Sequence, residues 1–113
     1  MNQTVRVIKE HTTDFADPLI LKTGDLLMAE RKKTDWPGWI WCTDKNGKGG
    51  WIPECYLKIE GNTGRMLRDY DATELTARPG DKLNVLDEES GWLWCLTEQG
   101  RKGWIPKENV ELI

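Results

Sequence analysis

Trp39-Ile40-Trp41-Cys42 … Gly50-Trp51-Ile52-Pro53 reappears as Trp92-Leu93-Trp94-Cys95 … Gly103-Trp104-Ile105-Pro106, at a constant offset of 53 residues. The register runs without a gap from Trp39/Trp92 to Ile59/Leu112. Upstream, Thr23-Gly24-Asp25-Leu26-Leu27 parallels Pro79-Gly80-Asp81-Lys82-Leu83 at an offset of 56. The first copy therefore carries a longer loop, Arg31 to Gly38, against Asp87-Glu88-Glu89-Ser90-Gly91 in the second. Core elements keep their spacing and surface loops absorb insertions. The chain reads as one small unit built twice, each of about 55 residues.

Units this small bury a modest share of their surface and are only marginally stable alone. The seven tryptophans among 113 residues offset this by bringing large apolar area on stiff side chains. No run of apolar residues is long enough for a membrane-spanning helix, and the N-terminus lacks the apolar stretch of a signal peptide. Net charge is −3. An acidic chain is a poor partner for nucleic acid, and its local basic run, Arg31-Lys32-Lys33, reads as a solvated loop. Cys42 and Cys95 occupy equivalent positions and read as small buried hydrophobes. Their spacing, like that of Cys55, matches no zinc pattern, and neither metal nor cofactor is expected. Unpaired thiols point to a reducing, cytoplasmic setting.

Helical periodicity is absent. Short apolar or alternating runs appear at Val5–Ile8, Leu26–Ala29, Gly38–Thr43, Gly50–Ile52 and Leu57–Ile59. The second copy repeats them at Arg65–Leu67, Lys82–Leu86, Gly91–Thr97, Gly103–Ile105 and Val110–Ile113. Asp-Pro, Thr-Gly-Asp, Pro-Gly and Asn-Gly turn signals separate them. Five short strands per copy predict an all-β chain of two small five-stranded barrels. Asn46-Gly47 predicts a tight hairpin, with Gln99-Gly100 as its counterpart. Domain 1 is expected over residues 1–60 and domain 2 over 65–113. Residues 61–64 then form a short linker, which at about 3.5 Å per residue holds the barrels side by side.

Strand alternation places Ile40 and Cys42 on the core face, and Trp39 and Trp41 on the other. Leu93/Cys95 and Trp92/Trp94 follow the same rule, and Trp51 and Trp104 should join these tryptophans across the hairpins. An aromatic cluster off the core face marks an interaction surface or a buried contact.

These residues together resemble the SH3 domain family, present in tandem. Met66-Leu67-Arg68-Asp69-Tyr70-Asp71-Ala72 is similar to its ALYDY strand, with Arg68 where the first Tyr belongs. Gly103-Trp104-Ile105-Pro106-Lys107-Glu108-Asn109-Val110 resembles the closing G-[YW]-[IF]-P-S-N-Y-V segment. In the first copy Val7-Ile8-Lys9-Glu10-His11 and Gly50-Trp51-Ile52-Pro53-Glu54-Cys55-Tyr56-Leu57 stand in these places. The resemblance implies capture of an extended, proline-rich peptide between aromatic rings, with acidic loops favouring a basic ligand. By matched position the first copy offers Trp39, Trp51, Pro53 and Tyr56, with Lys9 and His11 replacing both ALYDY tyrosines. The second offers Tyr70, Trp92, Trp104 and Pro106, with Arg68 and Asn109 replacing two tyrosines. Asp71, Glu74 and Glu88, with Asp69, Asp87 and Glu89, put carboxylates around Trp92. Thr73-Glu74-Leu75 reads as a shortened loop, and the two faces act singly or as one shared groove.

The expected role is a non-catalytic, adaptor-like module with a protein or peptide partner, no nucleic-acid or membrane partner, and a monomeric or homodimeric state. His11 is the only histidine, and no nucleophile–base set can be assembled in both copies. Two alternatives stay open: a bacterial SH3-like module for cell-wall peptides, and a structural or dimerisation domain with its Trp faces buried.

Overall fold

The computed structural model describes residues 3–13, 18–30 and 37–113. Asp14, Asp17, the basic run Arg31 to Lys33 and Trp36 lie outside the described residues. The strands are β1 (Gln3–Val7), β2 (Ile20–Leu21), β3 (Leu26–Glu30), β4 (Trp39–Thr43), β5 (Gly49–Pro53), β6 (Leu57–Glu60), β7 (Thr63–Met66), β8 (Tyr70–Asp71), β9 (Lys82–Glu89), β10 (Trp92–Thr97), β11 (Lys102–Pro106) and β12 (Val110–Leu112). Single 3-10 turns, Glu54–Tyr56 and Lys107–Asn109, precede β6 and β12. No helix among the described residues is long and apolar enough to cross a membrane.

The strands form two compact units, and neither is a contiguous segment. The central unit is Pro18–Ala72; the terminal unit joins Met1–Asp17 to Thr73–Ile113. Its sheet has the order β11-β10-β9-β1-β12, and the central sheet β5-β4-β3-β7-β6. The first strand of each sequence copy thus sits in the sheet of the other copy. This differs from the expected partition into 1–60 and 65–113. The residues read as a linker are instead a hairpin: β6 and β7 pair directly, Glu60 against Thr63 and Ile59 against Gly64.

The reason is local. Gly61-Asn62 is a two-residue reversal, Gly61 has φ +60°, and Gly-Asn is a hairpin signal. The nearest antiparallel partner for β6 is therefore the strand that follows it two residues later. Closing so short a loop costs far less entropy than retrieving β1 from more than 50 residues upstream. With β7 taken, β1 pairs with β12, Val5 against Leu112 and Val7 against Val110, and with β9, Val5 against Leu83.

Side-chain volumes match this arrangement. Gly64 faces Leu27 in the central sheet as Val5 faces Leu83 in the terminal one. A Cβ on Gly64 would lie 3.2 Å from Leu57 Cδ2 and 3.9 Å from Ala29 Cβ. The Leu57 side chain thus reaches over Gly64 from its own pairing with Met66, while smaller Val110 packs on the cluster holding Val5 and Val7. Seating Val5 in the place of Gly64 would overfill the central core.

Both cores follow the alternation expected. In the terminal unit Val5, Val7, Leu75, Ala77, Leu83, Leu93, Cys95 and Ile105 are buried together. In the central unit Ile40, Cys42, Ile52 and Met66 are at most 2% exposed. The second-copy loop over Asp87 to Gly91 is shorter than expected. β9 continues through Glu89, and Ser90-Gly91 closes a tight turn with φ of 46° and 89°. Both residues at positive φ are the requirement of a type I′ hairpin.

Replacing Gly64 with Val is expected to destabilise the central unit by about 1–3 kcal/mol through overpacking against Leu57. Adding Leu57→Val should recover part of that loss, giving a non-zero coupling energy in a denaturant double-mutant cycle. Additive effects of the two changes would contradict the packing described.

Candidate functional site

In the central unit the cross-strand pair Trp39–Pro53 ends the β4–β5 hairpin. The Glu54 amide donates to the Gly38 carbonyl at 2.8 Å, fastening the 3-10 turn that carries Tyr56 to the start of β4. Tyr70, from the other copy's ALYDY-like strand, arrives on β8 beside these residues. Its ring meets Tyr56 edge-on with centroids 5.6 Å apart. The Tyr70 hydroxyl donates to the Trp51 carbonyl at 3.0 Å. Trp51 in turn packs edge-on against Trp41 at 5.3 Å, a cross-strand aromatic contact that contributes about 0.5–1.5 kcal/mol beyond its buried area. The guanidinium of Arg68 lies over the Tyr56 ring, 4.3 Å from its centroid.

The segment bearing Arg68 and Tyr70 is clamped to residues 18–25. β2 and β8 pair through Ile20–Asp71 and Leu21–Tyr70. The Asp69 carboxylate accepts from the Thr23 amide at 2.8 Å and the Thr23 hydroxyl at 3.0 Å. These two hydrogen bonds hold the Asp69 carboxyl below the usual aspartate range, with Lys22 adding to the effect. A depressed pKa means the clamp is in place above the ordinary aspartate range and is lost as the pH falls through the lowered value.

The terminal unit is built differently at each matched position. His11 stands where the central unit has Tyr70. Its Nε2 is 3.0 Å from Glu74 Oε1, with the two side chains 15% and 19% exposed. Its ring also meets Trp92 edge-on at 5.6 Å. Asn109 stands where the central unit has Tyr56. It is buried, and its Nδ2 donates to the backbone carbonyls of Lys9 and Glu10 at 3.4 and 3.3 Å. A polar side chain bonded inward thus replaces a ring. Glu88 pairs with Lys107 at 3.0 Å. Pro106 pairs with Trp92, and Trp94 with Trp104, rings 5.2 Å apart. Thr73 to Leu75, expected as a shortened loop, bonds to Trp104 on β11 through both backbone directions.

The expected site residues therefore separate by unit. Trp39, Trp51, Pro53, Tyr56, Tyr70 and Asp71 belong to the central unit; Glu74, Glu88, Trp92, Trp104 and Pro106 belong to the terminal one. Tyr70 and Asp71, grouped with Trp92 in the sequence reading, are instead grouped with Trp39, and Asp69 moves with them. Sequence reasoning also missed the Thr23–Asp69 clamp and the His11–Glu74 pair. Each joins residues of different copies, so only the Gly61-Asn62 turn signal could have found them.

No disulfide joins the cysteines: Cys42 and Cys95 are buried and Cys55 is exposed. Burial pushes the Cys42 and Cys95 thiols up to about 11 and about 12. Among the described residues no cluster of His, Cys, Asp or Glu could hold a metal ion.

Two small barrel-like β-sheets, each with a tryptophan–proline pair leading into a 3-10 turn, define a class of interaction module. The chain belongs to the variant SH3 domain family, whose sequence model matches residues 4–60 and again 63–113. A 54-residue stretch is 39% identical to the myosin ID heavy chain of Dictyostelium discoideum, covering 45% of this chain and 5% of that protein. No solved structure gives a significant match. SH3 domains are protein-interaction modules that bind peptides, and the family is typically non-catalytic.

Two measurements check the site as described. Tyr70→Phe should lower the stability of the central unit by about 1 kcal/mol, the net worth of one hydrogen bond; an unchanged midpoint would remove the Tyr70–Trp51 bond from the account. A thiol reagent at neutral pH should modify Cys55 in the native protein and reach Cys42 and Cys95 only after denaturation, since the thiolate is the reactive form. Rapid modification of all three in the native state would contradict the burial.

Proposed function

We propose that the protein binds an extended, proline-rich peptide on the central unit, and that the terminal unit does not offer an equivalent site. The observation that carries this reading is the arrival of Tyr70 beside Tyr56 in the unit that also holds Trp39 and Pro53. Together they supply three rings and a proline, the side-chain types on which a preformed polyproline II helix docks with little loss of entropy; Pro53 is fully buried in the free chain, so binding has to open the cluster. Trp39, Tyr56 and Tyr70 are each less than a tenth exposed in the free chain. Arg68 is itself exposed and lies over the Tyr56 ring, at the edge of this cluster.

The terminal unit lacks this surface because Asn109 fills one ring position from within and His11 is engaged by Glu74 and Trp92. The carboxylates of Glu74 and Glu88 already have cationic or hydrogen-bonding partners in His11 and Lys107. They give weak support to a basic ligand at that face.

Titration of the isotope-labelled protein with a neutral proline-rich peptide tests the proposal. The indole signals of Trp39 and Trp51 should shift together with the Tyr56 and Tyr70 rings, while that of Trp92 stays in place. Shifts confined to Trp92 and Trp104, or none at all, would overturn it.

A further inference from the structure

We propose that Arg68 makes the central unit selective for an extended peptide that carries an acidic side chain, Glu or Asp, beside its prolines. This deepens the peptide-binding reading above and rests on it.

The geometry of Arg68 comes first. The Arg68 guanidinium lies over the Tyr56 ring, 4.3 Å from its centroid, and a guanidinium carries its five N–H donors in one plane. That planar fork matches a carboxylate in two-point fashion. Among the described residues Arg68 has no carboxylate partner. The nearest acid in sequence, Asp69, is held by the Thr23 amide and hydroxyl and lies 4.0 Å from Lys22. Arg68 is thus an exposed cation without a carboxylate partner among the described residues, lying on one of the rings proposed to take the peptide.

Charge across the unit supports the same sign of ligand. The central unit, residues 18–72, holds nine basic and eight acidic side chains, net +1. The terminal unit holds seven basic and eleven acidic, net −4. The strand exchange shifts each unit by only one charge: the central unit trades Arg6 and Lys9 for Arg65 and Arg68, and the carboxylates of Glu10, Asp14 and Asp17 for those of Asp69 and Asp71. Asp71 on β8 is an opposing charge, and the central unit remains positive with it included. The acidic surface that the sequence associates with a basic ligand belongs mostly to the terminal unit.

The test uses the full chain and three short proline-rich peptides, blocked at both ends so that only side chains are charged. They differ only in carrying Glu, Gln or Arg at the positions flanking the prolines. Binding is followed by amide and indole shifts. The wild-type protein should bind the Glu peptide at least about fivefold more tightly than the Arg peptide, the size of one partly exposed charge pair. The Gln peptide should fall between them. Arg68→Ala should remove the preference and Arg68→Glu should reverse it. Both variants should keep the wild-type spectrum elsewhere, because the side chain is exposed. Equal binding of the three peptides, or a preference that survives Arg68→Ala, would overturn this inference and leave the peptide-binding reading standing. Binding of none would overturn both.

Discussion

The two-residue reversal at Gly61-Asn62 is the constraint on which the rest of the structure depends. Once the chain turns there, Glu60 meets Thr63 and β7 zips against β6. The edge position that β1 would have taken is filled by a strand only two residues away in sequence. β1 is then left to complete the other sheet between β9 and β12. Steric fit acts in the same direction. A Cβ at position 64 would press on Leu57 at 3.2 Å, tighter than ordinary contact, whereas Val5 and Val110 share a core together. Short-range closure and core volume select one pairing from two that the repeat makes nearly equivalent.

In the proposed peptide-binding role, this pairing sets which unit acts. Each ALYDY-like strand crosses to the unit whose closing segment comes from the other copy. Tyr70 and Tyr56 therefore meet, and so do His11 and Asn109. With contiguous domains, each barrel would have combined one tyrosine with one substitute. The exchange instead concentrates the rings in the central unit and the polar substitutes in the terminal one. The central unit gains Arg68 on Tyr56 and the Asp69–Thr23 clamp. The terminal unit gains the His11–Glu74 contact and an inward-bonded Asn109. The two tyrosines thus lie in one unit and their polar substitutes in the other.

Much of the fold was legible in the sequence. All ten expected strands form, because alternating apolar residues bounded by Asn-Gly, Pro-Gly and Gln-Gly turns specify short strands directly. The core face was equally legible, as Ile40, Cys42, Leu93 and Cys95 are all buried. Strand ownership was not. An internal repeat makes β1 and β7 interchangeable by pattern, and only the length of one turn and the size of one residue separate the pairings. Gly61-Asn62 was read as a linker because two adjoining repeats invite one. The grouping of site residues inherited that reading, which put Tyr70 beside Trp92. The Asp87 to Gly91 loop failed for a different reason. Acidic residues favour loops in composition, yet Ser90-Gly91 at positive φ suffices to close the hairpin.

The most direct test is the pattern of long-range NOEs from Val5 and Val7 in the labelled 113-residue chain. The account predicts contacts from Val5 to Leu83 and Leu112, and from Val7 to Val110, as in the antiparallel register observed. Contacts from Val5 to Leu27 and Ile59 instead would place β1 in the central sheet, restore contiguous domains and contradict the exchange.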